Sequence, residues 1–323
     1  MIRDIEVIAS QQLPSGLLIA GGGDYDKIWI RDNVYVALAL AEAGDYSGAA
    51  KIYAELCNII ARYEYKLDND TYPHHNAELL HPRFTINGDE VPGQWSNKQH
   101  DAVGALLFGI GRMHAHDKTL VGDLEQRISQ KLIRYLETCR YWEDPDNGMW
   151  EESPATLHAS SLAACIKGIE AVATFCEHDP EGLSRAQQNL NQLLPNEGST
   201  YRIDMALLSL IWPYGYKRPD IVEIIEQRLL RKWGVIRHVG DAYEAGGSSE
   251  PQWVMGIPWL GVAHFELGNI DQAQRYLDAT ERLYTTTGLP ESYLAENEAC
   301  VHTPLAWSHA MAIVLRSKLA TRT

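Results

Sequence analysis

LHASSLAACIKGIEAVA, residues Leu157 to Ala173, has small or apolar side chains around nearly the whole circumference of a helix. A helix wetted on so little of its surface must pack against neighbours on several sides. VYVALALAEAG (Val34 to Gly44) has the same character. DLEQRISQKLIRYLETCRYW, starting at Asp123, instead confines its apolar residues to one stripe. Apolar residues at three- and four-residue spacing recur in twelve segments: 2–13, 32–43, 47–64, 98–116, 119–142, 158–178, 182–194, 202–212, 219–233, 251–267, 270–287 and 304–319. In EAGD and ELGN a glycine stops one helix, and Asp or Asn begins the next. Apolar helices alternating with amphipathic ones predict an inner and an outer ring. The expected class is all-α, an (α/α)6 barrel of about twelve helices. No Pro- or Ser-rich linker divides residues 1–323, so one domain is expected.

Lys and Arg number 28 against 43 Asp and Glu, a net charge of −15. That balance repels phosphate backbones, so neither nucleic acid nor an anionic membrane is an expected partner. The five cysteines, Cys57, Cys139, Cys165, Cys176 and Cys300, show no CxxC spacing. Neither a disulfide framework nor a zinc site is expected. The start, MIRDIEVIASQQ, has no apolar signal region, and no run approaches membrane-spanning length. A cytoplasmic location is the expectation.

Long non-helical stretches are uncommon unless they have a function. Here they cover 14–31, 65–97, 143–157, 234–250 and 288–303. KIWIRDNVYVALAL brings Trp29, Arg31 and Asp32 to a helix start, where Asp32 alone would serve as an N-cap. PGQWSNKQHDAVGALL offers Trp95, Gln99 and Asp101, and VIRHVGDAYEAGGSSEPQW offers Arg237, Asp241, Tyr243 and Glu250. Aromatic planes beside planar charged groups suit the apolar face and the hydroxyls of a sugar. GMWEES sets Trp150 before Glu151 and Glu152, and GLPES carries Glu291 behind a proline. The loops holding Glu151 and Glu291 are six helices apart, so a closed ring would bring them to one rim from opposite sides. Two carboxylates facing across a pocket are what glycosidic hydrolysis requires. His74, His75 and His81 lack a recognised ligand spacing, so no metal is expected. AGGGDYD lacks the Lys-Ser/Thr of a phosphate loop.

At WIRD, QWSNKQHDA, GMWEES, RHVGDAY and GLPES…TPLAWSHA, taken in order, the chain resembles the glucoamylase family, glycoside hydrolase family 15. The resemblance covers most of the chain. It implies an (α/α)6 barrel that releases glucose, with inversion, from the non-reducing end of α-gluco-oligosaccharides or small α-glucosides. It implies Glu151 as general acid and Glu291 as general base. Arg31 with Asp32, and Arg237 with Asp241 and Tyr243, would grip sugar. Trp150 and Trp307 would lie at the site, and Glu152 would tune Glu151 or hold substrate. No cofactor is implied. Bacterial and archaeal relatives usually carry an N-terminal β-sandwich, which is not expected here. The chain is shorter than a typical family catalytic domain. Its trimmed loops leave room for a partner subunit or a homo-oligomer to complete the pocket.

IRDNVYVALAL, QWSNKQHDAVGALLFG and MWEESPATLHASSLAACIKGIEA also resemble the glucoamylase-like domains of phosphorylase kinase regulatory subunits. That resemblance implies a glucan-binding regulatory protein. A third reading, a helical-repeat scaffold, rests on AGDYSGAAKIYAEL and LGNIDQAQRYLDAT. Their glycines, Gly44 and Gly268, do not stand a whole number of tetratricopeptide periods apart.

Overall fold

The computed structural model describes residues 1–91, 93, 95, 97–243, 250–294 and 298–321. Gln94 and Ser96 of one motif, and residues 244–249 and 295–297 of two predicted loops, lie outside them. Among the described residues, helices follow one another as α1 (Ile2–Ser10), α2 (Ile30–Glu42), α3 (Tyr46–Ala61), α4 (His100–His116), α5 (Asp123–Thr138), α6 (Ala159–Val172), α7 (Pro180–Leu193), α8 (Leu208–Ile211), α9 (Pro219–Arg228), α10 (Gly256–Glu266), α11 (Ile270–Glu281) and α12 (Ala306–Ala320). A further single turn spans Glu64–Leu67.

The even-numbered helices form the inner ring. Each packs on the even-numbered helix before it and the one after it, and α12 closes the circle on α2. The odd-numbered helices pack outside them. The inner position of these helices in the closed (α/α)6 barrel follows from their composition. Every residue of α2 from Ile30 to Ala39 is buried, as is every residue of α12 from Ala306 to Leu315. The tightest approach joins α4 to α6. A Cβ on Gly168 would collide with the carbonyl oxygen of Gly104. Gly168→Ala is therefore expected to cost about 1–3 kcal/mol and to lower the melting temperature; an unchanged melt would show that the two helices separate freely.

Connections from an inner helix to the next outer one are short, as in Ala43–Asp45 and Leu267–Asn269. Connections from outer to inner are long: 11–29, 62–99, 139–158, 194–207, 229–255 and 282–305. Because successive helices run antiparallel, these long loops all emerge at one end of the barrel. The predicted helix at 202–212 is reduced to a 3-10 turn (Met205–Leu207) and α8. The Asp204 side chain accepts from Ala206 N–H and starts that turn, and Pro213 stops it. Segments 119–142 and 251–267 are likewise shorter than the periodicity predicts.

Two small antiparallel sheets were not expected from the sequence. β1 (Ile28–Trp29) pairs with β2 (Arg83–Phe84), and β3 (Gln252–Trp253) pairs with β4 (Ser292–Tyr293). Strands of two residues leave no periodicity to read. They tie loops from distant parts of the chain together over the mouth of the barrel. All five cysteines are buried and free. No helix among the described residues is long and apolar enough to cross a membrane.

Candidate active site

One cavity of about 210 Å³ opens at the end of the barrel that carries the long loops. Trp29, Arg31, Asp32, Trp95, Trp150, Glu151, Arg237, Tyr243, Glu291 and Trp307 all line it. The loops after α5 and α11 thus bring their glutamates into a common space.

Trp29 is the N-cap of α2, which puts Arg31 and Asp32 in the helix's first turn. Asp32 is therefore not a cap, in contrast to the simplest reading of the sequence. Arg31 is buried. Its Nη1 donates to Gln99 Oε1 at 2.7 Å and to Asp101 Oδ2 at 3.2 Å, and its Nη2 donates to Glu151 Oε1 at 3.2 Å. Its guanidinium lies 5.7 Å from the Trp307 ring. Gln99 and Asp101 are thus absent from the cavity wall and hold Arg31 from behind.

Arg237 forms a two-pronged pair with Asp241, Nε to Oδ2 at 2.8 Å and Nη2 to Oδ1 at 2.6 Å. Trp253 Nε1 donates to the same Asp241 Oδ2 at 2.9 Å. The Arg237 guanidinium lies 4.7 Å from the Trp253 ring and 5.0 Å from the Tyr243 ring. Asp241 is a brace for Arg237 and not a wall residue. Glu250 lies farther out, accepting from Gly240 N–H at 2.6 Å and pairing with Arg231.

Glu151 has φ +63°, in the left-handed region that non-glycine residues rarely adopt. Its carboxyl accepts from Trp29 Nε1 at 3.1 Å as well as from Arg31. Burial pushes its pKa up, opposed by the Arg31 charge and the Trp29 hydrogen bond, and the net direction is upward. Sequence reasoning assigned part of this elevation to Glu152. The structure corrects that: the Glu152 carboxylate turns to His238 Nε2 at 2.6 Å, and His238 stacks on Tyr201 at 3.6 Å. The ring hydrogen-bonded to Glu151 is Trp29, and Trp150 lines the same cavity. Trp150 packs 5.9 Å from both Trp253 and Trp307 and donates its Nε1 proton to Asp204 at 2.7 Å.

Glu291 is buried, and its Oε1 accepts from the Tyr25 hydroxyl at 2.9 Å. The Tyr25 and Tyr243 hydroxyls lie 2.5 Å apart, and Tyr25 stacks on His302 at 3.8 Å. The backbone before Glu291 is held from α12. The Leu289 N–H donates to His309 Nε2 at 2.9 Å, and the Ser308 hydroxyl donates to Pro290 O at 2.9 Å. With Nε2 accepting, the ring proton sits on Nδ1, 2.9 Å from the fully buried Asp4 of α1. Burial alone would raise Asp4, but hydrogen bonds from His309 and Tyr284 and the nearby Arg316 bring it down to about 2.

Tyr25, Arg83, Met149, Trp253 and Met255 line the same cavity and were missed from the sequence. Tyr25 sits in AGGGDYD, a stretch weighed only as a phosphate loop. Arg83 is delivered by the β1–β2 pairing, which no motif announces.

The sequence profile of Glycosyl hydrolases family 15 matches residues 6–214, more than half of the chain. Phosphorylase b kinase regulatory subunit alpha, skeletal muscle isoform, of Oryctolagus cuniculus is 24% identical over 85% of this chain. The chain spans only 27% of that protein's length. Isomaltose glucohydrolase of Kribbella flavida is 25% identical over 90% of this chain and 84% of its own. A glycosidase variant solved in complex with glucose superposes with a TM-score of 0.80 at 22% identity, covering 99% of this chain and 95% of that one. With the barrel closed and the profile matched across its first eight helices, the chain belongs to glycosyl hydrolases family 15.

Proposed function

We propose that this protein hydrolyses small α-glucosides from the non-reducing end with inversion, Glu151 acting as general acid and Glu291 as general base. The observation that carries the proposal is the placement of these two glutamates, from loops six helices apart, on the wall of one cavity. Burial favours the neutral form of Glu151, which a proton donor to the leaving oxygen needs. Glu291, oriented by Tyr25, activates water on the opposite face of the sugar ring. An inverting pair leaves room for that water, with carboxyl groups roughly 6.5–9.5 Å apart. Arg31, Asp32 and Arg237 supply the charged, planar partners for the sugar hydroxyls, and Trp29, Trp150 and Trp307 its apolar walls.

The similarity to isomaltose glucohydrolase, over 84% of that protein's length, supports a small α-glucoside as substrate, so isomaltose heads the test panel, followed by maltose, longer α-1,4-glucans and trehalose. Released glucose is measured first. Proton NMR taken before mutarotation is then expected to show the β anomer from an α-glucoside. Release of the α anomer would refute inversion. The similarity to phosphorylase kinase alpha subunits supports a second reading, a regulatory glucan-binding protein. Saturable oligosaccharide binding with no turnover on any panel member would favour it.

A further inference from the structure

Three arginines line the cavity, and they differ in what neutralises them. Arg31 is paired with Asp101 and Glu151, and Arg237 with Asp241. Arg83 feels the charge of Glu151, but among the described residues its guanidinium makes no ion pair, and its Nε is buried without a hydrogen-bond acceptor. Taking even part of a charged group out of water without an ion pair is costly, and Arg83 is half-buried. The effect is visible in the directions of titration. Burial lowers all three arginines, but paired carboxylates bring Arg31 and Arg237 back above the ordinary range, whereas at Arg83 the Glu151 charge offsets burial only in part and the group stays below it.

Arg83 is nevertheless rigidly held. Its backbone pairs with Trp29 across β1–β2, and its N–H donates to His81 Nδ1 at 3.1 Å. Its guanidinium lies 4.0 Å from the Trp95 ring centre and 5.3 Å from that of Trp29. Two indoles restrict the rotamers of the side chain while offering no counter-charge. Trp29 also donates to Glu151, so Arg83 stands on the proton donor's side of the cavity. That is the side on which the leaving group departs.

We infer that Arg83 binds an anionic group, a carboxylate or a phosphate, on the leaving portion of the substrate, so that the preferred substrates are α-glucosides with an acidic aglycone. The inference rests on the hydrolase reading and deepens it by naming a substrate class. Charge-assisted contacts to a planar guanidinium are stronger than those to a neutral hydroxyl, so an acidic leaving portion complements this residue better than a neutral sugar does.

The test uses a pair differing only in charge, 2-O-α-glucosyl-glycerate and 2-O-α-glucosyl-glycerol, with an α-glucosyl glycerol phosphate to separate carboxylate from phosphate. For the wild-type protein kcat/KM is expected to favour an acidic compound by about tenfold or more. The ratio should collapse toward one in Arg83→Gln and persist in part in Arg83→Lys. Equal or better cleavage of the neutral compound by the wild type would overturn the inference. Affinities of the same compounds for Glu291→Gln, which leaves the Glu151 charge beside Arg83 in place, make the answer independent of turnover when measured by calorimetry. If the acidic compounds bind no more tightly than the neutral one, the inference fails even if hydrolysis is found. If they bind more tightly but the wild type turns over no glucoside, Arg83 is an anion-binding residue, and the hydrolase reading fails together with the substrate class built on it.

Discussion

Glu151→Gln and Glu291→Gln are each expected to reduce hydrolysis by about 10²–10⁴-fold, with the fold intact in both. In Glu151→Gln the new amide keeps an acceptor for the N–H groups of Trp29 and Arg31 while losing the transferable proton. In Glu291→Gln the amide keeps an acceptor for the Tyr25 hydroxyl while losing the ability to take a proton from water. The two losses can be told apart by the leaving group. Fluoride leaves without protonation, so α-glucosyl fluoride should recover much of the rate in the Glu151 variant and little of it in the Glu291 variant. In the wild-type protein the rate on an unactivated glucoside should fall as pH rises through the elevated pKa of Glu151, because ionisation removes the donor. Wild-type rates in either variant would end the assignment. Equal rescue of both by fluoride would show that the two glutamates do not divide the work in this way.

Helix type, order and rough extent could be read because burial on all sides and burial on one stripe leave different compositions. VYVALALAEAG and DLEQRISQKLIRYLETCRYW announce an inner and an outer helix before any coordinates exist. Ring closure could not be read: it depends on α12 meeting α2 across the whole length of the chain. The site was legible where a charged or aromatic residue abuts a helix start, as at Trp29, Arg31 and Asp32. It was illegible where a residue reaches the cavity by long-range pairing. Arg83 arrives through two residues of sheet, and Trp253 through β3. Adjacency in sequence also misled. The left-handed backbone at Glu151 accompanies a divergence of neighbouring side chains, so Glu152 bonds His238 instead of acting on its neighbour.

Asp32→Asn is expected to stabilise the protein at neutral pH while weakening substrate binding. Asp32 sits in the first turn of α2, where the helix dipole favours a negative charge. Burial outweighs this and the adjacent Arg31, while the Glu151 charge adds to the elevation, and the carboxyl is raised from 3.8 to about 6. A carboxyl raised in the folded state contributes stability below pH 3.8 that is lost as pH climbs through about 6. Above that window the folded protein carries an ionised group that it would hold more easily as neutral. Asparagine removes the penalty, up to about 3 kcal/mol at about 1.4 kcal/mol per pH unit, and leaves Arg31 its pairs with Asp101 and Glu151. The melting temperature of the variant should exceed that of the wild type by several degrees at pH 7.5 and match it at pH 3.5. If Asp32 grips a sugar hydroxyl, the lost charge-assisted bond should lower kcat/KM by about 10- to 100-fold. A residue that serves only the fold behaves the other way round: its replacement lowers the melting temperature at pH 7.5 and leaves affinity unchanged. Unchanged affinity would remove Asp32 from the substrate site, and a lowered melting temperature at pH 7.5 would refute the penalty of its buried charge. The expected pattern, stability gained where binding is lost, would mark a charge kept in the barrel for the ligand.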